Sequence, residues 1–245
     1  MIGRWYMSLI TGSALLSATA TALATKVAGD YVIILHGSGR TDMSMKRMEW
    51  NLERNGFRVI NETYPSWRRS IDYLANDFLP RLLERSVTDT SVRIHFVTHS
   101  LGGIVVRKYL ANHHLENLGR VVMLGPPNQG SQIVDHLRSV PVLRNIMGTS
   151  RLSLGTRLED VPKSLGPVQF PCGIIAGDQS MNPLLSWMLP GPNDGKVTLD
   201  SAKVEGMEDF LVVHFTHTWM MWHRQVVEQT ISFLRDGRFN RSPLP

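Results

Sequence analysis

The segment "DYVIILHG" (residues 30–37) limits the fold more than any other stretch of the chain. Its β-branched run does not alternate with polar residues, so as a strand it is buried on both faces. A sheet covered on both faces needs helices on both sides and crossover connections between its strands. The remaining sequence supplies them in order. A helix is expected over 43–55, a short strand over 56–61 ("GFRVIN"), and a helix over 70–85, where Ile71, Leu74, Phe78 and Leu82 share one face. Pro80 is expected to bend or split that helix, because it lacks an amide donor and crowds the preceding turn. Strands over 91–98, 120–125, 170–177 and 209–215 follow, with helices over 102–113 and 219–236, the last stopped by Gly237. The expected class is α/β, with a mostly parallel central sheet and helices on both faces. Ligand sites in such sheets lie at the carboxyl ends of the strands.

The bulk numbers fit one domain of this length: 245 residues, of which 42% are hydrophobic and 19% charged. No repeat, low-complexity tract or internal linker divides it. The formal net charge is +5, but positives such as Arg68-Arg69, Arg107-Lys108, Arg235 and Arg238 are scattered along the chain. That distribution argues against a nucleic-acid reader and leaves open attraction to an anionic membrane surface. The single cysteine, Cys172, forms no intrachain disulfide and lies in a strand, where a buried inert thiol is expected. The first residues carry Arg4, an uncharged apolar stretch from Tyr6 to Ala24, and Ala22-Leu23-Ala24 in a small-x-small pattern. Residues 1–24 are read as a signal peptide, with an uncleaved N-terminal anchor or a short core helix as the alternatives, and export implies a periplasmic or secreted protein.

Within "HFVTHSLGGIVVRKYL" (95–110) a strand gives way to a helix at Ser100. A turn this sharp strains the central residue, requires small neighbours two positions away on either side, and lifts the hydroxyl clear of the sheet. Gly102 and Gly103 meet the space demand on the helix side. Thr98 stands where the Gly-x-Ser-x-Gly pattern has its first glycine. A serine here can also be a helix cap without chemistry.

A nucleophilic serine needs a base, and the base needs an orienting carboxylate, in the chain order Ser, acid, His. His217 lies just past the last strand, whereas His214 falls in that strand and His223 in the final helix. Two carboxylates follow the strand over 170–177: Asp178 directly after it, and Asp194 in "GPNDGKV" near the end of the same loop. Two amides are needed for the oxyanion of the tetrahedral intermediate. Leu101 supplies one, and Ser38, between Gly37 and Gly39 in "LHGSGR", supplies the other. His36 is read as holding that loop. His113-His114 lacks further ligands at metal spacing, so no metal site is expected.

Four segments together, "VIILHGSGR", "FVTHSLGGIVVRKYL", "VVMLGPPNQGS" and "NDGKV…HTWMM", resemble the α/β-hydrolases, and in particular small bacterial lipase-like serine esterases. The resemblance spans about residues 30–237. It implies an oxyanion loop at "LHGSG", a nucleophile elbow at "THSLGG" with Thr98 as the departure, and an acid in "NDGKV", which is the main reason to prefer Asp194 to Asp178. It implies hydrolysis of a carboxylic ester through an acyl-enzyme, without metal or organic cofactor. Residues 25–245 are then a single hydrolase domain, expected as a monomer, with a small lid-like insertion at about 131–168.

The substrate expected is a small-molecule ester or lipid. Ile133, Leu137, Val140 and Leu143 are placed to form an apolar face over the site, and Leu184, Leu185, Trp187, Met188 and Leu189 form a second apolar stretch. Acyl transfer on the same fold is an alternative reaction, and a catalytically silent binding module is the alternative from another class.

Overall fold

The computed structural model describes residues 29–140, 147–181 and 186–241. The candidate export segment at 1–24 lies outside these residues, as do Leu143, Leu184 and Leu185. Among the described residues, no helix is long and apolar enough to cross a membrane.

Six strands form one sheet: β1 (Tyr31–Leu35), β2 (Arg58–Asn61), β3 (Ile94–His99), β4 (Leu118–Leu124), β5 (Cys172–Gly177) and β6 (Asp209–Val213). Their spatial order is β2-β1-β3-β4-β5-β6, and every pairing is parallel. The main helices are α1 (Lys46–Arg54), α2 (Ile71–Tyr73), α3 (Leu79–Ser86), α4 (Leu101–Asn112), α5 (Gln132–Ser139), α6 (Thr149–Leu152), α7 (Val161–Ser164), α8 (Leu199–Ala202) and α9 (Arg224–Asp236). A π turn, Leu74–Phe78, joins α2 to α3, with Leu79 N–H donating to the Leu74 carbonyl. The wider turn lies just before Pro80, so the proline loosens this helix where a split or bend was expected.

The doubly apolar strands explain two separate core layers. On one face, Ile33, Phe96, Val121 and Ile174 pack with Ile104, Val105 and Tyr109 of α4 and with α2 and α3. On the other, Val32, Ile34, Val97, Val122 and Ile175 pack with Met48 and Leu52 of α1 and with Val226, Phe233 and Leu234 of α9. Cys172 belongs to the first layer, and burial pushes its thiol pKa up to about 12, so it stays a thiol.

The chain runs from β1 outward to β2, then returns to place β3 on the other side of β1. The crevice at the carboxyl ends of β1 and β3 is therefore the topological switch point of the sheet, where open α/β folds bind ligands.

Candidate active site

Ser100 sits at the switch point, between β3 and α4. It has φ 53° and ψ −118°, and is the only non-glycine with positive φ among the described residues. The conformation is fixed from both sides: Ser100 N–H donates to the Leu124 carbonyl at 2.9 Å, and the Ser100 carbonyl accepts from Gly103 N–H at 3.0 Å. Ser100 occupies the N-cap position of α4, yet its hydroxyl makes no capping hydrogen bond. The capping alternative thus has no geometric basis.

The need for small neighbours is visible atom by atom. A Cβ on Gly102 would lie 2.5 Å from the Leu35 carbonyl oxygen, a contact that backbone cannot yield. Thr98 is buried with its Oγ1 donating to the Val122 carbonyl at 3.4 Å. The glycine pair after the serine leaves room for β1 at Gly102 and for Pro126 and Met123 at Gly103, where a Cβ would come within 3.2 and 3.3 Å.

His217 and Asp194 are both buried, 3% exposed each. The His217 ring nitrogen Nδ1 lies 2.7 Å from Asp194 Oδ2. Asp194 is held by its other oxygen, Oδ1, which accepts from the Lys196 and Val197 amides at 3.0 and 2.8 Å. Its backbone carbonyl accepts from His217 N–H at 3.0 Å. The same two residues are thus joined through main chain and side chain. Asp178 pairs elsewhere: its carboxylate meets Nδ1 of His214, whose side chain is 82% exposed. His214 lies just past β6, not within it, and His223 is the N-cap of α9, not an interior residue, with its ring stacked on Phe215.

The loop after β1 is pinned by His36. Its Nδ1 donates to the Gly37 carbonyl, its Nε2 accepts from Tyr64 N–H, and its ring stacks on Tyr64 at 4.2 Å. Burial lowers its pKa, in keeping with the neutral tautomer this arrangement needs. Gly37 lies against the serine; a Cβ there would be 3.3 Å from Ser100 Cβ and 2.7 Å from His99 Nδ1. The amides of Ser38 and Leu101 donate to no protein acceptor among the described residues.

Two residues of the site, His99 and Gly125, and one beneath a neighbouring loop, Arg107, were not legible in the sequence. The His99 ring lies 4.8 Å from the His217 ring, and its Nε2 donates to the His217 carbonyl at 3.0 Å. Complete burial, with the His217 ring beside it, holds its pKa well below the ordinary value. Gly125, at φ 54°, backs the His217–Asp194 pair: a Cβ would lie 3.0 Å from His217 Nδ1 and 3.1 Å from Asp194 Oδ2. Arg107 is buried under "LGPPNQGS", where it donates to the Asn128 carbonyl, Asn128 Oδ1 and the Gly166 carbonyl. A glycine at a strand end and an arginine inside a helical pattern gave no separate signal.

A cavity of about 340 Å³ opens over Ser100. Its lining includes Gly37, Ser38, His99 and His217 from the machinery and the apolar Ile133, Val134, Leu137, Met147 and Leu154. Val140 is exposed instead, and Trp187, at 84% exposed, points into solvent. Neither Trp187, Met188 nor Leu189 lines the cavity. The first apolar stretch reaches the site, and the described part of the second does not. Among the described residues, no group of three or more His, Cys, Asp or Glu is arranged to hold a metal ion.

Solved structures share this architecture. A Bacillus licheniformis lipase, BlEst2, in its propeptide form superposes with a TM-score of 0.68 at 18% identity, over 89% of this chain and 52% of that one. Its mature form gives 0.61 at 20% identity, over 84% and 89%. A monoacylglycerol lipase from Paleococcus ferrophilus gives 0.58 at 14% identity, over 86% and 97%. The chain has the α/β-hydrolase fold. It spans about half the length of the BlEst2 propeptide form and most of the mature one. Neither a family model nor a curated protein matches the sequence. At these identities the α/β-hydrolase fold is what is shared, and the chemistry rests on the residues described above.

Proposed function

We propose that this protein is a serine carboxylester hydrolase in which Ser100 is the nucleophile, His217 the base and Asp194 the orienting acid. One observation carries the reading. A strained serine whose hydroxyl caps no helix lines the same cavity as a histidine that a buried carboxylate holds through Nδ1. With Nδ1 donating to Asp194, Nε2 is left as the lone-pair nitrogen.

His217 Nε2 takes the Ser100 proton as Oγ attacks the ester carbonyl. The resulting oxyanion is received by the Leu101 and Ser38 amides. The intermediate collapses, and the leaving alkoxide takes the proton back from His217. Water then attacks the acyl-serine, again losing its proton to His217, and the acid leaves as Ser100 is reprotonated. The segment about 131–168 acts as a small lid that brings Ile133, Val134, Leu137, Met147 and Leu154 over the serine. A wall of this kind suits a short or medium acyl chain.

A fluorophosphonate probe should form one adduct, on the peptide containing Ser100, and p-nitrophenyl esters should be hydrolysed with an optimum in the short-to-medium chain range. Folded protein that takes no label and turns over no ester would reject the reading. Gly125→Ala tests the backing of the pair. A methyl beside His217 Nδ1 at positive φ should displace the ring and lower kcat by roughly tenfold to a hundredfold, read on p-nitrophenyl butyrate. Unchanged kcat would mean that the pair tolerates displacement.

A further inference from the structure

Three cationic residues, Arg40, Arg151 and Lys196, line the cavity over Ser100. Each is tied to a different part of the machinery. Arg151 donates to the Ser38 hydroxyl at 3.2 Å and the Ser38 carbonyl at 3.3 Å. Arg40 donates to the Thr218 carbonyl at 3.1 Å, one residue after His217. Lys196 follows Asp194 by two residues, and its backbone is fixed through the Asp194 carboxylate and the Ser131 hydroxyl.

Among the described residues, none of the three has an acidic partner: Arg40 and Arg151 donate to carbonyl and hydroxyl oxygens. Other cations in the chain do have carboxylate partners, as Arg138 has Asp135 and Asp160 and Arg93 has Asp30, while the buried Arg107 is held by carbonyl and amide oxygens. The segments outside the described residues contain neither Asp nor Glu, so they offer no acidic side chain as a partner. Asp194 is nearest by position, and both its oxygens are engaged. The three charges also act on one another. Loss of hydration, with Arg40 and Arg151 adding to it, lowers the Lys196 pKa. Like charges gathered at one cavity raise the energy of the free protein, and an anion entering the cavity offsets that energy. Much of the remaining lining is apolar, so the cavity offers both hydrocarbon and cationic groups around one reactive hydroxyl.

We infer that the preferred substrate is a fatty acyl ester whose alcohol part carries an anionic group of the phosphate type, held by Arg40, Arg151 and Lys196 while the acyl chain lies along Ile133, Val134, Leu137, Met147 and Leu154. The inference rests on the esterase reading and names its substrate class. Guanidinium groups suit phosphate oxygens because they present several donors in one plane.

The test compares 1-octanoylglycerol 3-phosphate with 1-octanoylglycerol, two monomeric esters that differ only in the phosphate. The phosphate-bearing ester should have the higher kcat/KM by about tenfold, and raising salt should narrow the ratio. Lys196→Met is the informative variant, since the side-chain ammonium makes no hydrogen bond that holds the fold. It should reduce that ratio by roughly fivefold. A wild-type ratio near one, or a ratio that Lys196→Met leaves unchanged, overturns the inference. A binding arm separates this outcome from failure of the esterase reading. Ser100→Ala protein should bind octyl phosphate at least tenfold more tightly than octanol, by the same charge-assisted contacts, and should lose that preference when Lys196→Met is added. Equal binding of the two amphiphiles overturns the anion site even if ester hydrolysis stands. Selective binding without hydrolysis keeps the anion site and removes the esterase.

Discussion

Asp194→Asn lowers kcat on p-nitrophenyl butyrate by roughly 10³–10⁴-fold, while Asp178→Asn leaves it within about twofold. The first expectation follows from which atoms face Asp194. Its Oδ1 receives two amide N–H groups, from Lys196 and Val197. Those donors require an acceptor, so an asparagine at this position turns its carbonyl oxygen towards them. Its NH₂ group then faces His217 Nδ1, which lies 2.7 Å from the wild-type Oδ2. A donor there forces the His217 proton onto Nε2, the nitrogen that must accept the Ser100 proton. The ring is held in place and in the wrong tautomer. Asp178 meets the exposed His214 and the Gln179 side-chain amide, and a pair with an exposed partner of this kind contributes little. The reverse ranking of the two variants would move the acid to Asp178.

The choice between these carboxylates shows where sequence reading stops. Strand ends are legible because burial on both faces leaves continuous apolar runs, as in β1 and β3, and because a strained turn leaves small residues, as at Gly102 and Gly103. Those two signals are enough to locate Ser100 and the loop carrying Ser38. Asp178 and Asp194 are both in the correct loop, and spacing cannot tell which one the chain folds back towards His217. Apolar composition likewise gives no direction: Ile133 and Leu137 turn to the cavity, whereas Trp187 in an equally apolar stretch turns to solvent. The role of Gly125 is invisible in one dimension, since it consists of the space a missing Cβ leaves beside His217 and Asp194. The cationic part of the cavity lining is hidden for a related reason. Arg40, Arg151 and Lys196 come from three distant segments, and along the chain they look like scattered surface charge.

Ser100→Gly and Ser100→Ala should both abolish turnover, with kcat falling by roughly 10³–10⁶-fold, but only the glycine variant should gain stability. The difference isolates the backbone. At φ 53° and ψ −118° a side chain with a Cβ is strained by about 1–3 kcal/mol, and alanine keeps that Cβ while glycine removes it. Glycine adds freedom to the unfolded chain, which costs about 0.5–1 kcal/mol. The net gain expected is about 1 kcal/mol, and for a domain of this size that raises Tm by roughly 2–4 °C. The Leu124 and Gly103 hydrogen bonds that fix the turn use backbone atoms and persist in both variants. Thermal unfolding of the two inactive proteins side by side reads the strain directly. Equal Tm values would show that the turn accommodates Ser100 without strain, and residual turnover in either variant would place the nucleophile elsewhere. A higher Tm for Ser100→Gly would mean that the wild-type chain gives up stability at this position to hold a hydroxyl above the switch point of its sheet.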